Sequence, residues 1–210
     1  MESAPRTKTR IEDIRRVELI EAAHRVFLNG GLNGLTTTRI CQEAGMSQGI
    51  LTYYFKNKDE VLFEMVRYAN RILMDNVVMR LRQAKTNWER LIAIIEGNFP
   101  EASYNANTAN AWVSFYAAAA ANARYAMLQR LFYRRLRSNL SSALNSVLTP
   151  NGVDRFAQGF AALIDGLWLR RGHSEDLTAA EAISLLTEYA ERTLGAKIVN
   201  KLRKPSAERL

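Results

Sequence analysis

The stretch TTTRICQEAGMSQGILTYYFKNKDEVL, residues 36–62, decides the fold of the N-terminal part of the chain. Ile40, Cys41 and Ala44 share one face at helical spacing, which predicts a short helix. Gly45 is expected to end this helix, because glycine adopts a positive φ without a steric penalty. A second short helix follows over the run GILTYYF, and a third and longer helix begins near residue 57.

Polar residues stand where each of these three helices should begin. Thr37 or Thr38 is placed to cap the first helix, since its hydroxyl can accept a free backbone N–H of the first turn. Ser47 is placed to cap the second helix. Asn57 is placed to cap the third, with Glu60 three residues later as in a capping box. Two short helices joined by a glycine turn form a helix-turn-helix, whose second helix suits the DNA major groove.

A helix over residues 11–29 should complete this small unit. Its predicted apolar stripe contains Ile14, Val17, Ile20 and Ala23, and the glycines of the run GGLNG, residues 30–34, are expected to end it. The predicted core of the unit consists of Leu19, Phe27, Leu35, Ile40, Leu51 and Phe55.

Length and composition limit the class of protein. The chain has 210 residues, of which 48% are apolar and 24% charged, as in a globular protein of one or two domains. No apolar run approaches the ~20 residues that cross a bilayer, and MESAPRTKTR lacks the apolar core of a signal peptide. The single cysteine, Cys41, fits a reducing compartment. With only His24 and His173 beside it, we expect no metal site.

The charge of the chain permits a nucleic-acid partner. The formal net charge is +8, and the basic residues are concentrated in an N-terminal arm, in residues 124–137 and in residues 197–209. The arm leads directly into the helix-turn-helix and is therefore expected to reach DNA. The other two segments are interpreted as a solvated helix face and a tail.

The rest of the chain predicts helices only, so the expected fold is all-α. The predicted helices cover residues 57–84, 88–99, 107–121, 124–148, 153–171 and 179–194. We assign residues 11–58 to the helix-turn-helix domain and residues 59–196 to a larger helical domain, with the helix from about residue 57 as a lever between them. Residues 1–10 and 197–210 are expected to be disordered tails.

The run from Ala44 to Lys58 resembles the DNA-binding domain of TetR-family repressors. The family signature is a helix, Ala-Gly, a capping Ser, then Gly, an apolar pair, aromatics, Phe and Lys. The matching residues here are Ala44, Gly45, Ser47, Gly49, Ile50, Leu51, Tyr53, Tyr54, Phe55 and Lys58. Thr52 departs from the signature, since many members carry a tyrosine there that reaches further toward the DNA backbone.

The motif predicts which residues touch DNA. Gln48 can pair with the edge of an adenine, and Lys58 resembles a family phosphate contact. Arg10 or Arg15 is expected in the adjacent minor groove. The complete predicted set is Arg10, Arg15, Thr37, Ser47, Gln48, Gly49, Thr52, Tyr53, Tyr54 and Lys58.

Two patterns in the second domain resemble the choline-responsive repressors of the BetI type within that family. NAWVSFY places Trp112, Phe115 and Tyr116 on one helical face, and AALIDGLWLR places Asp165 and Trp168 on another. Together with Phe99 in GNFPE, these six residues are the predicted ligand-binding set. Aromatic faces hold a quaternary ammonium by cation–π attraction, a carboxylate would balance its charge, and a tyrosine could meet its alcohol. For each aromatic residue, a place in an ordinary core is the competing interpretation.

The resemblance implies a cytoplasmic bacterial repressor of choline-to-glycine-betaine genes. It would need no cofactor beyond a small-molecule effector, would pair as a homodimer through helices 124–148 and 153–171, and would bind a palindromic operator. A repressor with another effector, such as a drug, an acyl group or a polyamine, remains an alternative, as does an interaction protein on the same fold. A remote alternative is a hydrolase, because GMSQG fits the nucleophile-elbow pattern G-x-S-x-G.

Overall fold

The computed structural model describes the backbone of residues 5–173 and 176–205, and the side chains of these ranges from Glu12 onward. Within these ranges the chain forms ten helices and no strand, which confirms the all-α prediction. The helices are α1 (Pro5–Gly34), α2 (Thr37–Ala44), α3 (Gln48–Tyr54), α4 (Lys58–Gln83), α5 (Asn87–Gly97), α6 (Ala106–Ala121), α7 (Ala123–Leu144), α8 (Pro150–Arg171), α9 (Ala179–Leu194) and α10 (Ala196–Leu202). None of them combines the length and hydropathy needed to cross a membrane.

The helix-turn-helix forms as the sequence predicts, with one change at a cap. Gly45 ends α2 with a φ of 64°, and the Asn57 side chain accepts the Glu60 N–H at the start of α4. The cap of α2 is Thr36, whose hydroxyl accepts the Arg39 N–H. The prediction of Thr37 or Thr38 is wrong because the helix begins one residue earlier. Ser47 occupies the N-cap position of α3, but its side chain makes no capping hydrogen bond there.

The predicted core of the small unit is confirmed, whereas half of the predicted stripe on α1 is wrong. All six predicted core residues are buried. Ile14 and Val17, in contrast, are 50% and 45% exposed, because they precede the segment from Leu19 onward that packs on α2 and α4. Arginine and glutamate side chains surround them on this part of α1, and Arg16 lies over the Phe55 ring at 5.1 Å.

Two hydrophobic cores hold the chain together, and the first belongs to both halves of the molecule. It combines α1–α4 with Phe115 of α6 and with Tyr125 and Leu128 of α7. The second core joins the C-terminal part of α4 to α5 and α7–α10. At the end of α1, Gly31 has a φ of 58°, and the following Leu32 N–H donates to the Ser114 hydroxyl on α6 at 3.0 Å. The DNA-binding unit is therefore packed directly against the second domain.

Both chain ends are more ordered than the sequence predicts. The backbone of residues 5–10 belongs to α1, and residues 197–202 belong to α10, although both segments were assigned to disordered tails. The helix α10 forms because Val199 and Leu202 are buried in the second core, and the Arg203 side chain donates to Glu191 on α9 at 2.8 Å. Residues 1–4 and 206–210 of the predicted tails lie outside the described residues.

Candidate functional site

The outer face of α3 is exposed and polar. Gln48 at its start is solvent-exposed, and its amide donates to the Thr38 hydroxyl on α2 at 3.0 Å. This bond orients the Gln48 side chain before any contact with DNA. Thr52 is also exposed, but its hydroxyl donates back to the Gln48 and Gly49 carbonyls at 3.2 and 3.1 Å. A phosphate only accepts hydrogen bonds, so the Thr52 hydroxyl would have to rotate away from these carbonyls to contact one.

Two adjacent tyrosines end α3 in different environments. Tyr53 is 71% exposed, and its hydroxyl donates to a carboxylate oxygen of Glu12 on α1 at 3.3 Å. Tyr54 is half-buried and packs against the first core. Desolvation, followed by the charge of Glu12, raises the pKa of Tyr54. The two rings meet edge to face with centroids 5.0 Å apart, so Tyr53 is presented to solvent and Tyr54 supports it.

Most of the other predicted DNA contacts lie at helix starts. Thr37, half-buried, opens α2; Ser47, exposed, precedes α3; and Lys58, exposed, opens α4. Free backbone N–H groups at such starts attract phosphate. Arg15 is exposed and pairs with Glu18 at 3.1 Å, while the side chain of Arg10 lies outside the described part of the chain.

The serine of GMSQG does not have the setting of a nucleophile. Ser47 lies between two helices, α2 and α3, and the residues that lead to it form a helix and a turn. The nucleophile elbow of a hydrolase depends on a strand that delivers the serine into a strained turn. The hydrolase alternative is therefore wrong on the local structure, and glycine and serine are explained by the helix-turn-helix.

A second candidate site is a cavity of about 150 Å³ between the two cores. Residues from α1, α4, α6, α7 and α8 and from the segment after α5 line it, and most of them are apolar or aromatic. The lining residues are His24, Leu28, Val66, Ala69, Asn70, Ile72, Leu73, Asn76, Asn98, Pro100, Ser103, Thr108, Trp112, Phe115, Tyr116, Leu128, Gln129, Phe132, Ile164 and Trp168. This wall contains no carboxylate, lysine or arginine.

Four of the six predicted ligand-binding residues line this one cavity. Trp112, Phe115 and Tyr116 come from α6, and Trp168 comes from α8. The Trp112 ring meets Phe115 edge to face at 5.8 Å. The Trp168 indole N–H donates to the Asn98 carbonyl at 3.2 Å, which fixes the orientation of the ring. The sequence places each tryptophan only on its own helix, and the tertiary structure brings them to the same wall.

Phe99 and Asp165, the other two predicted residues, do not line the cavity. Phe99 is buried, and its ring stacks on Trp168 with centroids 6.4 Å apart. It therefore supports a wall residue. Asp165 follows Ile164 on α8, and one of its carboxylate oxygens accepts the Tyr133 hydroxyl at 2.6 Å. Its other oxygen, Oδ1, is buried without a hydrogen-bond partner among the described residues.

The electrostatics connect Asp165 to the cavity through a tyrosine. Burial, followed by the charge of Asp165, raises the pKa of Tyr116, which lines the cavity. Burial and the hydrogen bond to Asp165 likewise raise the pKa of Tyr133. Burial raises the pKa of Asp165 itself, and the hydrogen bond from Tyr133 opposes this shift. A half-buried carboxylate thus lies next to a neutral aromatic wall, and its Oδ1 is buried without a hydrogen-bond partner among the described residues.

Some lining residues are absent from the sequence-based prediction. His24 and Leu28 belong to α1, in the DNA-binding unit, and Gln129 and Phe132 belong to α7. The signal that could have identified His24 is its position as a polar residue among apolar ones, and its neighbours Ala23 and Phe27 have no exposed surface. Burial lowers the pKa of His24, with a smaller effect of Arg25 in the same direction. No periodicity connects residues that lie about 100 positions apart.

Both parts of the chain match known protein families. Residues 19–65 match the family described as bacterial regulatory proteins, tetR family, and residues 88–195 match the BetI-type transcriptional repressor C-terminal family. A relative from Brucella canis, the HTH-type transcriptional regulator BetI, is 36% identical over 202 residues, which cover 96% of this chain and 98% of the relative.

Solved structures share the fold. A transcriptional regulator from Rhodococcus sp. Rha1 superposes with a TM-score of 0.75 at 24% identity, covering 85% of this chain and 95% of that one. A transcriptional regulator from Saccharomonospora viridis, solved in complex with choline, superposes with a TM-score of 0.71 at 20% identity, covering 84% and 95%. The chain therefore belongs to the TetR family of DNA-binding transcriptional regulators, which are not enzymes, and its C-terminal domain is of the BetI type.

Proposed function

We propose that the protein is a homodimeric repressor of genes for converting choline to glycine betaine, and that choline is its effector. One observation carries the choice of effector: a small, uncharged cavity has aromatic side chains from three different helices on its wall, Trp112 and Trp168 among them. Choline is a quaternary ammonium without an N–H, so hydrogen bonds cannot hold its charged end. Aromatic faces can, at ~0.5–2 kcal/mol for each contact.

The size of the cavity separates choline from larger effectors. A protein cavity of about 150 Å³ accommodates a molecule of the size of benzene, with six heavy atoms, and choline has about the same bulk. A long acyl chain would require a tunnel several times larger. The alternative of an acyl sensor is therefore less compatible with this cavity than a compact cation.

The charge of Asp165 supports a cation over a neutral ligand. The carboxylate lies behind the wall, and its Oδ1 lacks a hydrogen-bond partner among the described residues. A buried carboxylate oxygen without a partner is costly, and a cation in the cavity would reduce that cost. Tyr116 is the polar group on the same part of the wall and could meet the choline hydroxyl.

The outer face of α7 and α8 suits the dimer contact. An open groove between these helices is lined by the small side chains of Ala157, Ala161 and Ala162 and by charged residues, Asp165 among them. Leu163 and Leu169 are exposed on α8. Two copies packed through this face would form a four-helix bundle and present two α3 helices. Such a pair would contact half-sites of a palindrome about one DNA turn, ~34 Å, apart. Sedimentation should therefore find a dimer.

The proposed mechanism is a shift between two conformations. Choline would prefer the conformation in which the two α3 helices are wrongly spaced for the operator. A ligand with equal affinity for both conformations would shift nothing, however tightly it bound. The lever α4 carries the change, since its N-terminal end lies in the DNA-binding unit and its middle lines the cavity.

The test is a calorimetric titration with choline and with its neutral carbon isostere, in which a tert-butyl group replaces the trimethylammonium. Cation–π binding predicts saturable binding of choline and much weaker binding of the isostere. Trp168→Leu and Trp112→Leu keep apolar bulk but remove the aromatic face, so each should weaken choline binding by about 3- to 30-fold. Trp88→Leu is the matched control, because Trp88 lies against Arg203 and away from the cavity.

The same protein is then tested on operator fragments selected from genomic DNA. Choline should weaken operator binding, and ethanolamine, which has N–H groups and no methyl groups, should have little effect. Equal binding of choline and the isostere would contradict the aromatic-cage interpretation. Absence of choline binding would remove the effector and its genes from the proposal, while membership of the TetR family would stand.

A further inference from the structure

The start of α7 touches both the cavity and the DNA-binding unit. The Tyr125 hydroxyl donates to Asp59 Oδ1 at 2.8 Å, across 66 positions of sequence. Asp59 lies in the first turn of α4, directly after Lys58. One turn further along α7, Leu128 lines the cavity. A single helical turn therefore connects the ligand site to the end of α4 that faces DNA.

The Tyr125 ring also rests on the cavity wall. Its centroid lies 5.9 Å from that of Phe115, which lines the cavity and is 2% exposed. A displacement of Phe115 by a ligand must therefore move Tyr125 or leave a gap beside it, because protein interiors are closely packed. The route from wall to α4 consists of two rings and one hydrogen bond.

The joint before α7 is short and well fixed. Asn122 is the only residue between α6 and α7, and its side chain accepts the Arg124 and Tyr125 N–H groups. The Arg124 guanidinium lies 4.2 Å from the centre of the Phe63 ring on α4, one turn after Asp59. The first turn of α7 thus contacts α4 at two successive turns, through a hydrogen bond and a cation–π contact.

The two partners of the hydrogen bond differ in exposure. Tyr125 is buried, whereas Asp59 is exposed. Water can replace the tyrosine as the partner of an exposed carboxylate, so the bond can open without leaving Asp59 unsatisfied. Burial and the bond to Asp59 raise the pKa of Tyr125 to about 12, so the phenol keeps its proton and stays a donor at physiological pH.

We propose that Tyr125 is a positioning residue, whose hydrogen bond to Asp59 transmits the state of the cavity wall to the N-terminal end of α4. The inference rests on the proposed function for its effector and goes beyond it in naming the contact that carries the signal. When the bond is closed, α4 and its Lys58 are held to α7. When a ligand displaces Phe115, the bond opens or pulls the end of α4 with it.

The first test compares operator affinity with and without choline in the full-length protein. Tyr125→Phe removes only the hydroxyl and keeps the ring on Phe115. It should leave choline affinity within about twofold of the wild type and reduce the choline-induced change in operator affinity by about 2- to 30-fold. Adding Asp59→Ala to this variant should cause no further loss of the choline response, because both changes remove one contact.

Tyr189→Phe is the matched control. Tyr189 lies on α9 against Phe156, in the second core, so loss of its hydroxyl should leave the response to choline unchanged. A merely structural role for Tyr125 would lower the unfolding temperature and leave the ratio of operator affinities with and without choline intact. That result would overturn the inference.

A second test needs no effector, so its result does not depend on whether choline binds. Phe115→Leu alters the cavity wall, and we expect it to change operator affinity by about 2- to 30-fold in the wild-type background and by a smaller factor in the Tyr125→Phe background. Thermal unfolding confirms that each variant is folded, and Phe115→Met, which loses less volume, replaces a variant that is not. Equal effects of the wall substitution in both backgrounds would contradict transmission through Tyr125.

Discussion

The DNA-binding face and the effector cavity differ in exposure and in polarity. The face on α3 is exposed and polar, and its predicted contacts, apart from the arginines of α1, come from the 22 positions between residues 37 and 58. The cavity is apolar and uncharged, and its wall extends from His24 to Trp168. The face acts through exposure, charge and hydrogen bonds aimed outward, whereas the cavity acts through shape and aromatic surfaces. One substitution should therefore disturb one region without the other, except at the residues between them.

The largest expected effect distinguishes a buried residue of α3, which supports the fold, from an exposed neighbour, which is available to contact DNA. Leu51 is 2% exposed and Ile50 is 38% exposed, although they are neighbours. Leu51→Ala should lower the free energy of unfolding by ~2–5 kcal/mol because it leaves a cavity in the first core. Ile50→Ala should change it by less than ~0.5 kcal/mol. Chemical denaturation measures both, and similar losses would mean that the outer face of α3 is not free for DNA.

The next effect divides the DNA-binding face into residues that select a sequence and residues that hold the backbone. Gln48→Ala should reduce the preference for operator over random DNA by ~1–3 kcal/mol, because a base-edge contact is lost. Lys58→Ala should weaken both kinds of DNA alike and reduce the slope of log affinity against log salt by about 0.9. Binding titrations at several salt concentrations measure both terms. Equal losses on both DNAs for Gln48→Ala would remove it as a base contact.

A smaller effect tests how a charge outside the cavity acts on a ligand inside it. Asp165→Asn should weaken choline binding by ~1–2 kcal/mol, as expected for a charge one side chain away at an effective dielectric constant near 20. The neutral isostere should bind as before. Asp176→Asn is the matched control, since Asp176 is exposed and lies outside both the cavity wall and the groove of α7 and α8. Calorimetry measures both affinities, and equal losses of affinity for the cation and the isostere would indicate a packing role for Asp165.

The smallest expected effect is a pH dependence of the cavity that the DNA-binding face does not share. The pKa of His24 is lowered from its ordinary value of 6.5 because burial disfavours the charged imidazolium. The neutral form therefore stabilises the folded protein above that pH, and this contribution is lost as the pH falls. An imidazolium in the wall would also repel choline. In the folded protein His24 gains its proton only below its lowered pKa, so we expect choline affinity to decrease on acidification below that pKa, which lies under 6.5.

His24→Gln should flatten this pH profile, and the exposed His173 provides the control. His173→Gln should retain the wild-type dependence. An unchanged profile in His24→Gln would assign the titration to another group, with Asp165 as the next candidate, because burial raises its pKa.

Local sequence patterns predict the helix-turn-helix and the all-α class correctly, whereas the family resemblance supplied the four predicted residues that line the cavity. The patterns succeed for a physical reason: caps, glycine turns and apolar spacing act within a few residues, and Gly45, Asn57 and Leu51 keep their meaning in any tertiary context. The same local reasoning misjudged Ile14 and Val17, since helical periodicity does not say where along a helix the packing begins. It also missed α10, a short helix stabilised by Val199 and Leu202 in a distant core.

Tertiary packing alone sets which aromatic residues share a wall and where the two halves of the molecule touch. Trp112 and Trp168 lie 56 positions apart, and no local pattern sets their distance, because that distance depends on how α6 and α8 pack. The same packing moved Phe99 and Asp165 one layer behind the wall and brought His24 to its surface. It also joined Tyr125 to Asp59. Side-chain spacing fixes a face of a helix, and only the burial of many such faces against one another fixes what that face meets.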